Sequence, residues 1–159
     1  MLNWIQSFLG GSTPFYPYES RILQEVSACL DGESAATLRN QIKVINKIQR
    51  ITDGKEVNLY TMHHGKALFD DRLRFPNQSD EALLATVRII EKRTRANLKV
   101  DLWLAKGRLF SLVFNKPPKL FFAPESLKNV QPEIGNVKIW FDPMQAQPVA
   151  ASKDATSPF

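Results

Sequence analysis

Residues 98–104 constrain this chain more than any other segment. Leu98, Val100, Leu102 and Leu104 alternate with Lys99, Asp101 and Trp103 without a break. Successive side chains of a β-strand point to opposite faces, so this pattern predicts a strand with an apolar face on a core. Its other face carries two charges and a tryptophan. A helix cannot use a period of two, so the segment requires a sheet, and its neighbours supply partners.

Residues 85–92 (ATVRIIEK) have strand composition, and Arg93 to Asn97 turn the chain into the alternating strand. Lys106-Gly107 is a tight connection into a third strand, 109–114 (LFSLVF). That strand is apolar on both faces apart from Ser111, which predicts a central or doubly covered position. Pro117-Pro118 ends the run, and 119–136 reads as loop. Residues 137–141 (VKIWF) alternate again as a further strand. Upstream, 56–62 (EVNLYTM) is strand-like, 66–75 has no clean period, and Pro76 to Asp80 form a loop.

The N-terminal third differs. Residues 2–9 predict a short helix that docks on its own domain, ended by Gly10-Gly11 and followed by a Pro-containing loop. Residues 18–30 predict an amphipathic helix with Ile22, Val26, Cys29 and Leu30 on its buried stripe. Asp31-Gly32 marks a turn, and Ser34 is the expected N-cap of a helix over 35–51. Leu38, Ile42, Ile45 and Ile48 form its apolar stripe. Arg39, Lys43 and Lys47 align on another face, with Arg50 near the end of that line. Thr52-Asp53-Gly54 stops it.

Helices followed by strands predict an α+β fold, with N-terminal amphipathic helices packed on an antiparallel β-meander. The 159 residues suit a single domain over 1–142. From Pro143 the composition turns to Pro, Ala, Ser and Gln, and 143–159 is expected to be a flexible tail.

The 21 Lys and Arg against 16 Asp and Glu give a net charge of +5. Eight of the cations and only two acids, Glu91 and Asp101, fall within 91–120, a local charge of +6. A basic surface attracts an acidic protein, nucleic acid or anionic lipid. One cysteine excludes an intramolecular disulfide and an all-cysteine zinc site. No basic leader with an apolar run precedes Arg21, and no run approaches a membrane span. These features lead to the expectation of a soluble, cytoplasmic chain.

Catalytic signatures are sparse. The seven glycines are scattered, with no dinucleotide fingerprint, Walker loop or nucleophile elbow. The stretch Lys106–Phe114 shares letters with the RNA-recognition signature. However, Arg108 and Leu109 replace its stacking aromatic and its small residue. The two histidines, His63 and His64, are adjacent and would point to opposite faces of a strand. With Asp70 and Asp71 they could serve a small hydrolase, although no metal-ligand spacing supports one. No cofactor or metal is expected.

Trp103 and Trp140 share strand faces with Lys99 and Lys138. Aromatics on a basic face can stack bases or anchor a protein. The apolarity of 109–114 instead predicts that a helix or the 119–136 loop covers this face. The expected function is a non-catalytic binding module, immunity-like, inhibitor-like or an adaptor. Its β-meander would hold an acidic protein partner through Arg88, Lys92, Arg93, Arg95, Lys99 and Trp103. Nucleic-acid binding through the 39/43/47 stripe and the sheet is the alternative.

Overall fold

The computed structural model describes residues 15–146. The expected helix at 2–9 and the segment 147–159 lie outside the described residues. Two helices, α1 (Pro17–Cys29) and α2 (Gly32–Val44), precede eight strands: β1 (Lys47–Ile51), β2 (Glu56–Tyr60), β3 (Met62–His63), β4 (Lys66–Ala67), β5 (Ala82–Ile90), β6 (Asn97–Ala105), β7 (Arg108–Phe114) and β8 (Glu133–Ile139). The α+β class holds. Six strands form one antiparallel sheet in the order β1-β2-β7-β6-β5-β8, and β3-β4 make a separate hairpin.

The helices cover one face of this sheet. Ile22, Leu23 and Val26 of α1 and Leu38 and Ile42 of α2 share a core with Val87, Ile89, Leu98, Val100, Leu102 and Leu112. The alternation of 98–104 is realised as written, with its leucines and valine buried and Lys99, Asp101 and Trp103 on the opposite, half-exposed face. β7 is central, but it is not doubly covered. The loop after it turns back to the helix side, where Phe122 packs on Tyr18 with ring centroids 5.3 Å apart. Phe110 and Val113 on the other face remain half-buried.

The helix expected over 35–51 ends at Val44, and 47–51 is the edge strand β1. Ile45 and Ile48 do keep apolar faces inward, so the spacing that suggested a helix serves a strand instead. The β-branched run is content in either form. Pairing with β2 decides it. The Thr61 hydroxyl donates to Val44 O at 3.0 Å, Asn46 N donates to Tyr60 O, and the Asn46 amide exchanges two hydrogen bonds with the Met62 backbone. Lys47 therefore leaves the line of Arg39 and Lys43, and the three-residue basic helix stripe does not exist.

Arg50 is turned inward as well. It forms a bidentate pair with Glu19, which is fully buried in the first turn of α1, at 2.6 and 2.8 Å. The Arg50 guanidinium also lies 3.7 Å from the Tyr16 ring centroid. Burial pulls the Arg50 pKa down, but the hydrogen bonds and charge of Glu19 outweigh it, and the group stays above its ordinary value.

Two smaller readings are corrected. The N-cap of α2 is Asp31, which accepts from Ser34 N at 2.9 Å, so Ser34 is the third helical residue and not the cap. Cys29 is exposed at the last position of α1 and not buried on its stripe. Beyond β8, Pro143 is buried and its carbonyl accepts from Asn77 N, so chain contacts continue at least that far.

Gln41 ties the layers together. It lies on the apolar stripe of α2 and is fully buried. Its amide donates to Leu73 O at 2.7 Å and Gly107 O at 2.9 Å, and its carbonyl accepts from Leu109 N at 2.7 Å. The Lys106-Gly107 turn that it grips has positive φ at both residues. A Cβ at Gly107 would stand 2.6 Å from Phe75 O, so only glycine fits that approach.

Candidate basic groove on the open sheet face

Register brings the outward residues of β6, β5 and β8 side by side. Arg88 sits opposite Lys99 on β6 and Asn136 on β8. Thr86 sits opposite Asp101 and Lys138. Trp140 follows β8, anchored by its backbone N–H on Leu84 O. These side chains line a groove of about 210 Å³ formed by Thr86, Arg88, Lys99, Asn136, Lys138 and Trp140.

A polar relay fixes the groove. The Trp140 indole donates to the Thr86 hydroxyl at 2.9 Å, and that hydroxyl donates to Asp101 at 2.6 Å. Lys99 reaches the same carboxylate at 3.9 Å. The Lys138 ammonium stands 3.7 Å from the Trp140 ring centroid, a cation–π contact. Trp140 is nonetheless 49% exposed. A large aromatic held by its own hydrogen bond loses little entropy on contact with a partner.

The electrostatics are unbalanced. Three cations, Arg88, Lys99 and Lys138, meet one carboxylate, Asp101. Arg88 and Lys99 are direct cross-strand neighbours, and like charges so placed are destabilising. Among the described residues Arg88 has no ion-pair partner.

Of the residues expected from sequence, Arg88 and Lys99 enter this groove. Trp103 lies on the same face of β6, half-buried opposite Ser111. Lys92 is turned aside to Glu133 at 3.5 Å. Arg93 and Arg95 are exposed in the turn after β5, where Glu91 closes the loop by accepting from Thr94. Lys138 and Trp140 were visible as a basic, aromatic pair in VKIWF. Thr86 and Asn136 carry no signal of their own, since their place depends on β8 pairing with β5.

The histidines lie elsewhere. His64-Gly65 forms the tight turn of the β3-β4 hairpin, and both histidines are exposed. His63 and Asp70 line an apolar cavity of about 390 Å³ with Val44, Thr61, Leu68, Phe69 and Leu73. Asp70 accepts from the side chain and backbone of Arg72, which hold its carboxyl below the ordinary range. Asp71 pairs with Arg74 at 2.6 Å. Asp70, held ionised by Arg72, is a poor general acid. Among the described residues no three His, Cys, Asp or Glu side chains converge as metal ligands, and no helix is long and apolar enough to cross a membrane.

No protein-family model, curated protein or solved structure matches this chain.

Proposed function

We propose that the protein is a binding module that holds an acidic protein partner on the open face of its sheet, with the groove of Arg88, Lys99, Lys138 and Trp140 as the centre of contact. The observation that carries this reading is Arg88, which has no ion-pair partner among the described residues and faces Lys99 across the strands, beside a half-exposed tryptophan. A carboxylate from a partner would relieve the repulsion while the indole supplies apolar area, the combination found at interface hot spots. Arg93 and Arg95 would lie on the rim, where they speed encounter more than they add affinity.

The test is titration with a polyglutamate peptide at low salt, followed by amide and indole NMR shifts. The shifts should centre on Arg88, Lys99, Lys138 and Trp140. The double variant Arg88→Glu/Lys138→Glu should weaken binding about tenfold or more, since charge reversal replaces attraction with repulsion. Lys43→Glu/Lys66→Glu changes net charge equally at exposed positions outside the groove and should weaken binding far less. Equal loss in both variants, or tighter binding of single-stranded DNA than of the peptide, would overturn the proposal.

A further inference from the structure

A second site stands apart from the groove, between β2, the segment after β4, and the start of β7. Tyr60, Thr61, Ala67, Leu68, Phe69, Arg74 and Arg108 enclose a cavity of about 170 Å³. Two guanidiniums flank one ring: Arg74 lies 5.1 Å and Arg108 5.9 Å from the Phe69 centroid. We infer that this cavity binds a small carboxylate that carries an apolar group, with Arg108 as its ionic anchor.

The two arginines are not equivalent. Arg74 is engaged by Asp71 at 2.6 Å and donates to Lys106 O at 2.8 Å. Arg108 is half-buried, and among the described residues its one hydrogen bond is a long one to Leu59 O, 3.3 Å. It meets no carboxylate there, and its guanidinium stands 5.3 and 5.9 Å from the Phe110 and Phe69 ring centroids. Burial and, after it, the nearby charge of Arg74 pull the Arg108 pKa below its ordinary value. The site therefore holds a partly desolvated charge that no carboxylate among the described residues pairs, and an arriving anion would relieve it.

Charge and shape narrow that anion. Arg74, Arg108 and Asp71 together leave one positive charge, which matches a monoanion better than a phosphate dianion. A planar guanidinium fork pairs two parallel N–H groups with the two oxygens of a carboxylate. Ala67, Leu68 and Phe69 offer the rest of the ligand an apolar wall. At about 170 Å³ the cavity is smaller than the roughly 300–1,000 Å³ usual for drug-sized ligands, which suits a small acid. None of these residues belongs to the Arg88 groove, so this inference does not depend on the proposed function.

The probe is benzoate, with acetate and inorganic phosphate as comparison ligands, read from the arginine Nε–H resonances of the full chain. Benzoate should shift Arg108 and Arg74 and saturate, and acetate should bind more weakly for want of the ring. Arg108→Gln should weaken benzoate about tenfold or more, the scale of one charge-assisted pair. Arg108→Lys, which keeps the charge but loses the fork, should weaken it by a smaller factor, and Arg88→Glu should leave it unchanged. Arg108 resonances that stay still, benzoate affinity unaltered by both Arg108 variants, or phosphate binding tighter than benzoate would each overturn the assignment.

Discussion

Glu19 and Arg50, 31 residues apart, face each other through two hydrogen bonds of 2.6 and 2.8 Å, the carboxylate fully buried and the guanidinium stacked on Tyr16. Glu19 also accepts from Tyr16 N at 2.8 Å, so one carboxylate closes the start of α1 and fastens the edge strand β1 to it. Arg50→Met strands a buried charge. We expect a loss of about 3 kcal/mol in urea unfolding, the low end for breaking a buried pair because Arg50 keeps some solvent contact. The double change Glu19→Met/Arg50→Met should cost less than Arg50→Met alone, and a double-mutant cycle completed by Glu19→Met measures the coupling.

Gln41→Leu keeps the volume of the side chain and removes three hydrogen bonds in the core. Each is worth about 1 kcal/mol, and the Leu109 amide is left without its acceptor, so about 3 kcal/mol should be lost. Hydrogen exchange at Leu109 should accelerate by more than that at its neighbours in β7. Equal acceleration along the strand would show that the variant lowers global stability without a local effect.

Gly107→Ala places a methyl group against Phe75 O in a left-handed backbone. Strain of this kind costs about 1–3 kcal/mol, and the contact adds to it. The melting temperature should fall by several degrees, roughly 2–4 °C per kcal/mol for a chain of this length.

Tyr18 predicts an alkaline limit. Burial first, and Glu19 second, raise its phenol pKa above the ordinary 10.0, against the opposing charge of Arg50. The folded state thus holds the proton more tightly than the unfolded state. The resulting stability is complete below about pH 10 and drains away as pH rises toward the folded value. Urea midpoints should decline from pH 10 to 12, and Tyr18→Phe should flatten that decline.

Removing one of the two facing cations should help the fold and harm its use. Arg88→Thr ends the repulsion with Lys99 and suits a strand, so stability should rise by about 0.5 kcal/mol. Polyglutamate binding should weaken in the same protein. A variant that loses stability would show that the Arg88 stem packs usefully against the face.

Local pattern made the centre of the sheet readable. The alternation at 98–104 marks β6 because its two faces meet opposite environments over their whole length. β1 was hidden because IKVINKIQR satisfies helical spacing as well as strand pairing, and the arbiter is β2, which lies beyond the turn. The same applies to the groove. Arg88 and Lys99 are legible as outward residues of adjacent strands, whereas Lys138 and Trp140 join them only because β8 returns to the far edge of β5. Arg50 misled for a different reason. A cation in a basic run looks solvated until its partner, here Glu19 in another element, is known. Arg108, half-buried beside Phe69, is likewise invisible to a one-dimensional reading.

The grip of Gln41 also bears on the order in which the chain assembles. Its partners at Gly107 and Leu109 are 66 and 68 residues away. α2 can form early from local contacts, yet it cannot be locked in place before the β6-β7 hairpin has closed and turned its loop toward it. Once locked, the helix layer and the hairpin tip must open together, so a fluctuation that lifts α2 also exposes the middle of the sheet. The molecule should therefore show few partial openings between fraying at its edges and unfolding as a whole.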